Sequence, residues 1–191
     1  DGAGLTATAT QTVTVVDNID PTVVTQSATV YLDATGNAVI LPATVDNGST
    51  DNCSGLTLVV TPNIMSCSNV GVNTVILHAT DGSGNTATAS ATVTVVDNIN
   101  PTITAPNAVS VNVDAGSCTA AFANVTLGTP TTADNCSVTT AHDASGAYSL
   151  GATTVTWTVT DASGNTATAT QIVTVVDNEN PTITAPADVT V

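Results

Sequence analysis

Three times, at an interval of 80 residues, the sequence runs Val-Val-Asp-Asn-x-Asx-Pro, ending at Pro21, Pro101 and Pro181. Each joint sets carboxylate and carboxamide oxygens close together: Asp17 and Asp20 at the first, Asp97, Asn98 and Asn100 at the second, Asp177 at the third. Between the joints stand Asp46, Asp51 and Asp81, then Asp134 and Asp161, in turn-like Asp/Asn/Gly/Ser clusters. Oxygen-only ligands of this kind suit a hard cation with six to eight ligands, calcium better than magnesium, because carboxylates and backbone carbonyls can share an irregular cage. The competing reading is that Asp, Asn and Gly are simply turn formers, with Asp161 capping its hairpin.

The charge balance favours a cation. The chain has no Lys and no Arg against 15 Asp plus Glu, a net charge of −15. Without a basic patch it cannot neutralise phosphates, so nucleic acid is excluded as a partner and an anionic membrane surface is disfavoured. No apolar run is long enough to span a bilayer, so no membrane insertion is expected.

Four cysteines, Cys53, Cys67, Cys118 and Cys136, fall two to a repeat with no Cys-x-x-Cys pair and no His close by. Zinc is therefore disfavoured. The expected arrangement is one disulfide per repeat, Cys53–Cys67 and Cys118–Cys136, each closing a loop of about 15 residues worth about 3 kcal/mol; free buried thiols are the alternative. Disulfides place a protein outside the cytosol, extracellular or on the cell surface.

These groups must be positioned by β-structure. Val, Thr, Ala and Ile dominate, 42% of residues are hydrophobic, and there is one Glu and one Met. An acidic but disordered chain would be poor in β-branched residues. Segments 81–100 and 161–180 agree at 15 of 20 positions, as do 1–20 and 81–100. The repeats are therefore 21–100 and 101–180, preceded by a partial unit 1–20, the tail hairpin of one repeat, and followed by a partial unit 181–191, the first strand of another. Within a unit the apolar period is two, as in Thr154-Val155-Thr156-Trp157-Thr158-Val159-Thr160. Turn chemistry at Asp161-Ala-Ser-Gly-Asn165 and a second alternating run, 166–176, complete a hairpin. Gln171 falls on the apolar phase, which points to a bulge or an edge. Short strands at this spacing predict an all-β fold, an antiparallel Greek-key sandwich repeated in tandem.

The motif series Pro101-Thr-Ile-Thr-Ala-Pro106, Asp114-Ala-Gly-Ser-Cys118, Ala133-Asp-Asn-Cys136, Gly151-Ala-Thr-Thr-Val155, Asp161-Ala-Ser-Gly-Asn165 and Val175-Val-Asp177 resembles the hyalin repeat (HYR) family. Repeat 1, with Asp46-Asn-Gly-Ser-Thr-Asp-Asn-Cys53, Ser66-Cys67 and Gly71-Val-Asn-Thr-Val75, resembles a close relative found in very large bacterial surface proteins. It lacks the first cysteine position of repeat 2, and Leu5 stands where the later units have Asn85 and Asn165. The resemblance implies Ig-like sandwiches used in cell adhesion. The joints resemble the calcium-binding linkers of cadherin-type arrays.

In such a sandwich the last hairpin loop and the loop between the second and third strands lie at the domain's N-terminal end. Asp161 should then approach Asp97-Asn98-Ile99-Asn100, with Asp134 arriving from the other side; in repeat 1 the matching set is Asp17, Asp20, Asp46 or Asp51, and Asp81. Catalysis finds few candidates. His78 takes the solvent-facing phase of its strand, His142 sits in a loop, and neither has a counterpart in the other repeat.

The expected function is a non-enzymatic extracellular structural or adhesive module, a calcium-stiffened rod of tandem repeats in a large surface adhesin. Its partners are neighbouring repeats of the same chain, with surface glycans or self-assembly as further ones. Two other readings fit: a subunit of an extracellular polymeric filament, or the accessory stalk of a secreted enzyme.

Overall fold

The structure is a computed structural model that describes residues 2–4 and 6–187. Chain contacts divide it into two compact units, residues 1–31 with 38–96, and residues 32–37 with 97–191.

Unit 1 is built on β1 (Ala28–Tyr31), β2 (Asn37–Val39), β3 (Thr57–Thr61), β4 (Ile64–Ser66), β5 (Gly71–Thr80) and β6 (Thr86–Val96). The larger sheet has the order β1-β6-β5-β3, and β2 pairs with β4. A one-turn helix, α1 (Pro42–Val45), begins with proline, whose missing N–H costs nothing at a helix start. Unit 2 comprises β7 (Thr102–Thr104), β8 (Val109–Asn112), β9 (Thr119–Ala120), β10 (Thr131–Ala133), β11 (Val138–His142), β12 (Tyr148–Ser149), β13 (Gly151–Asp161) and β14 (Thr166–Val176). Its main sheet runs β11-β13-β14-β8, and β10–β7 and β12–β9 form two short ribbons.

The central hairpins follow from the period-two pattern. In β13 alternate residues Val155, Trp157 and Val159 are buried while the threonines between them are not. In β14 Val173 and Val175 do the same, and in unit 1 Val75, Leu77, Val93 and Val95 are their equivalents. Each such side chain contributes about 1.5–3 kcal/mol by leaving water. Thr160 pairs with Thr166 and Thr80 with Thr86, so 161–165 and 81–85 are the turns. Gly164 has φ +90° and Gly84 φ +95°, which a side chain would strain.

The pairing is not wholly antiparallel. β1 runs parallel to β6 and β8 parallel to β14, while β7, the first strand of unit 2, pairs antiparallel with β10. Gln171 is neither at a bulge nor at an edge. It pairs in register with Val155 in the central strand β14 and is 2% exposed. Its carboxamide is fully used: Oε1 accepts the Trp157 indole N–H at 3.0 Å, and Nε2 donates to the carbonyls of Asn107 and Leu127 at 2.8 Å each. A buried polar group is tolerated when every donor and acceptor is met. His142 ends strand β11 rather than lying in a loop, and its ring packs edge-on against Trp157, centroids 4.8 Å apart.

Residues 6–16 match β14 closely in sequence yet form no strand, and Val13, Val15 and Val16 are exposed. The alternating pattern encodes a face, but a ladder needs a partner strand. Residues 181–187 likewise form no strand. Asp1, Leu5 and Val191, which bear on the reading of the partial units, lie outside the described residues.

Neither expected disulfide is formed. Cys53 and Cys118 are exposed free thiols, whereas Cys67 and Cys136 are disulfide-bonded. The reason is placement. In unit 1 Cys53 precedes β3, whose Thr57 faces Thr80, while Cys67 precedes β5, whose Gly71 faces Val95 at the other end of the sheet. In unit 2 Cys136 precedes β11, whose Val138 faces Asp161, while Cys118 lies in the turn after β8, whose last residue faces Val176. Proximity in sequence misleads here because the intervening chain crosses the length of the sandwich.

Candidate cation-binding site

The N-terminal end of unit 2 collects acid from three segments. Asp97 lies in the joint, Asp134 directly follows β10, and Asp161 is the last residue of β13. One carboxylate oxygen of each lies within 4.8 Å of the others. Asp97 is 5% exposed and Asp161 6%.

Each carboxylate is oriented by hydrogen bonds from the chain itself. Asp97 Oδ1 accepts the Ile99 N–H and the Asn135 side-chain amide, both at 3.2 Å. Asp134 Oδ2 accepts the Cys136 N–H at 3.0 Å. Asp161 accepts the N–H groups of Ser163 (2.9 Å) and Asn165 (2.8 Å) on Oδ1 and the Asn165 side chain (2.7 Å) on Oδ2. Asn165 also donates to the Asp97 carbonyl at 3.2 Å, tying the hairpin to the joint. This leaves two oxygens, Asp97 Oδ2 and Asp134 Oδ1, buried without any hydrogen-bond partner. Unpaired buried carboxylate oxygens are costly. Two carboxylate oxygens within 4.8 Å of one another repel, by roughly 3 kcal/mol or more at an effective dielectric of about 20. With no Lys or Arg in the chain to offset this, a hard divalent cation fits the donor set.

Burial raises the Asp161 carboxyl pKa, but the Asn165 side chain and the N–H groups of Asn165 and Ser163 outweigh it and hold the group below its ordinary value. It stays an anion, as a cation ligand must. Asp81 in unit 1 is lowered in the same way, again against burial.

Unit 1 repeats the plan with one difference. Asp17 Oδ1 accepts the Ile19 N–H (3.1 Å) and the Asn52 amide (3.3 Å), and Asp51 Oδ2 accepts the Cys53 N–H (2.9 Å). Asp17 Oδ2 and Asp51 Oδ1 are the buried oxygens left without a partner. Asn85 donates to the Asp17 carbonyl (3.2 Å) and to Asp81 (2.7 Å), as Asn165 does in unit 2. The third member of the close group is the Cys53 thiol rather than Asp81. The thiol bears on Asp17 and, with the Ile19 N–H, lowers that carboxyl; in return the Asp17 carboxylate pushes the thiol pKa up.

Of the other residues singled out in the sequence, Asp46 caps its own turn, accepting from Ser49 Oγ (2.5 Å), Ser49 N–H (3.0 Å) and Gly48 N–H (3.3 Å). Asp51, not Asp46, is thus the loop ligand candidate of unit 1. Asp20 is exposed and outside both carboxylate clusters, and Asn98 and Asn100 are exposed. Asp177 accepts the Glu179 N–H at 2.9 Å, the same two-residue turn made by Asp17 and Asp97. Sequence reasoning missed the amides that steer the carboxylates, Asn52, Asn85, Asn135 and Asn165. Their signal was present, since Asp-Asn-Cys and Asp-x-Ser-Gly-Asn recur in both repeats.

The fold defines a class, the Ig-like all-β module. Residues 96–175 match the HYR domain, in agreement with the motif series. No curated protein matches the sequence. Similar solved structures include mouse cadherin-23 EC22-24 (15% identity, 85% of this chain and 66% of that chain, TM-score 0.39). Human protocadherin-24 EC1-2 (11%, 85% and 100%, TM-score 0.43) and Drosophila N-cadherin EC1-4 (12%, 83% and 50%, TM-score 0.43) are others. The chain spans 66% of the cadherin-23 fragment and half of the N-cadherin fragment. The HYR domain that residues 96–175 match is a non-enzymatic module family. Among the described residues no helix is long and apolar enough to cross a membrane.

Proposed function

We propose that this chain is a length of a large extracellular adhesin in which calcium binds at the leading joint of each 80-residue repeat, 21–100 and 101–180, and stiffens a tandem rod. The observation that carries the reading is the pair of buried, unpartnered oxygens, Asp97 Oδ2 and Asp134 Oδ1, converging with Asp161 in a chain without basic residues. The ligands are Asp97, Asp134 and Asp161 in repeat 2, and Asp17 and Asp51 in repeat 1, where Asp81 lies outside the close group. The ion neutralises carboxylates that otherwise repel, and so fixes the linker to the loops of the domain it enters. Neighbouring repeats of the same chain are the first partners of each unit.

Calorimetric titration of the metal-free chain with calcium tests this. Binding is expected with dissociation constants on the order of 10⁻⁴–10⁻³ M, the range of extracellular modules. It should be abolished in repeat 2 by Asp134→Ala with Asp97→Asn. Small-angle scattering before and after chelation reads the stiffness. No calcium heat, or a scattering profile unchanged by chelation, removes the reading.

A further inference from the structure

Residues 6–16 have the sequence of a strand but do not form one. They agree with β14 at 10 of 11 positions and with β6 at 9 of 11. The one departure from β14 is Thr12 for Ile172, on the face that β14 turns to solvent, where Ile172 is 41% exposed. The core-facing residues are kept, Val13 for Val173 and Val15 for Val175. In β14 those valines are buried, whereas Val13 is 78% and Val15 92% exposed. Apolar surface of this kind is driven to leave water, and β14 shows what covers it.

Two strands flank β14. β13 pairs with it antiparallel from Gly151 against Val175 to Thr160 against Thr166, and β8 pairs parallel from Val109 against Val173 to Asn112 against Val176. Residues 6–16 also share the context of β14. Both run directly into an acidic joint, at Asp17 and Asp177. The turn before them is matched too: Gly4 has φ +76°, in the left-handed region with Gly84 (+95°) and Gly164 (+90°), and each of the three stands two residues before its segment. A hairpin turn of this form brings the preceding strand back antiparallel.

Gln11 narrows the partner further. In unit 2 the equivalent Gln171 is buried, with its carboxamide held between the Trp157 indole N–H and the carbonyls of Asn107 and Leu127. In unit 1 the two places are Ala91 and Leu77, both buried and without a polar side-chain atom. The residues are thus matched in pairs, Gln with Trp and Ala with Leu. A Gln buried against Leu has an acceptor without a donor. An indole buried against Ala has a donor without an acceptor, and either mismatch is costly.

We propose that residues 6–16 are the closing strand of a further sandwich of the same polypeptide, and that this sandwich is of the unit 2 kind. The strand facing them carries Trp in register with Ala9 and an apolar residue in register with Gln11, as β13 sets Trp157 and Val155 against Ala169 and Gln171. Gln11 accepts the indole N–H of that Trp and donates to two loop carbonyls of the same sandwich. A short parallel strand covers the other side of residues 13–16, as β8 covers residues 173–176. The proposal rests on the tandem arrangement put forward above but not on calcium, so its test is run in chelator.

Residues 101–160 are placed directly before Asp1 of the 191-residue chain, which keeps the repeat in frame because Asp1 aligns with Asp161. Amide hydrogen exchange is read at residues 6–16. Relative to the 191-residue chain alone, exchange there should slow about 100-fold or more, as for strands inside a folded unit. A control with residues 161–180 in place of 1–20 sets the protection that a complete sandwich gives. Gln11→Ala should speed the exchange about tenfold beside the Trp157 of the added copy. With Trp157→Leu in that copy, Gln11→Ala should slow it instead, since Ala with Leu is the matched pair of unit 1. In the 191-residue chain alone Gln11→Ala should change nothing. Residues 6–16 that exchange as freely in the extended chain as in the short one overturn the proposal. An equal effect of Gln11→Ala against Trp and against Leu overturns it as well. So does protection of 6–16 in the 191-residue chain that rises with concentration alongside dimers in sedimentation, since the partner is then a second copy.

Discussion

The side-chain amide of Asn165 donates to the main-chain carbonyl of Asp97 at 3.2 Å, joining residues 68 positions apart. The same amide holds Asp161 at 2.7 Å, and Asn85 repeats both bonds with Asp17 and Asp81. One carboxamide thus sets the distance between hairpin and joint, and orients a carboxylate at the same time. Asn165→Ala leaves a carbonyl and a buried carboxylate oxygen short of a donor. A loss of about 1–3 kcal/mol in urea unfolding is expected, together with weaker calcium binding. Unchanged stability would mean that the tie is incidental.

Trp157 and Gln171 form a second coupled pair, and repeat 1 shows how the core does without them. Leu77 stands for Trp157 and Ala91 for Gln171, both buried. Gln171→Ala alone strands the indole N–H and the Asn107 and Leu127 carbonyls, and should cost about 2–4 kcal/mol. Trp157→Leu alone leaves Gln171 Oε1 unpaired. The double variant no longer has a stranded indole, so its loss should fall short of the sum by about 1 kcal/mol or more. Additive losses in chemical denaturation would show that the hydrogen bond carries no coupling.

This pair also marks where the sequence was legible. The hairpins at 71–96 and 151–176 were plain, because a period of two leaves one choice of buried face. The meeting of Asp97, Asp134 and Asp161 followed once the sandwich topology was assumed. Gln171 was misread because a polar residue on the apolar phase looks like a defect until its three partners are known, and two of them come from distant loops. The cysteines were misread because loop length says nothing about which end of a strand a residue occupies. Residues 6–16 show the converse, a strand-like sequence that pairs with no strand among the described residues.

Asp46 gives a pH dependence that does not involve the cation site. The Ser49 hydroxyl, first, and the N–H groups of Ser49 and Gly48 hold its carboxyl below the ordinary value of 3.8, against a smaller opposing effect of burial. A depressed folded pKa means that the anion is favoured in the fold. The stabilisation is full above 3.8 and is lost as pH falls from there through the folded pKa. Ser49→Ala should cost about 0.5–1.5 kcal/mol at neutral pH, and the difference from the parent should narrow below 3.8. A difference that is constant down to full protonation would remove Asp46 from the account.

Asp134→Ala separates a structural carboxylate from a cation ligand by the sign of its effect. Without a divalent ion, Asp134 stands within 4.8 Å of Asp97 and Asp161 and has one oxygen buried without a partner. Removing it relieves repulsion and desolvation, losing only the single bond to the Cys136 N–H. In chelator the variant should therefore be as stable as the parent or more so. With calcium the order reverses, because an ion that binds only the folded state adds RT ln(1 + [Ca]/Kd), about 2.7 kcal/mol at 100 times Kd, and the variant forfeits most of it. Magnesium should restore less, since it demands a tighter octahedral cage than these loop oxygens offer. Thermal unfolding of parent and variant in chelator, calcium and magnesium reads the crossover directly. Curves that keep the same order in all three conditions would make the cluster a set of turn caps and nothing more.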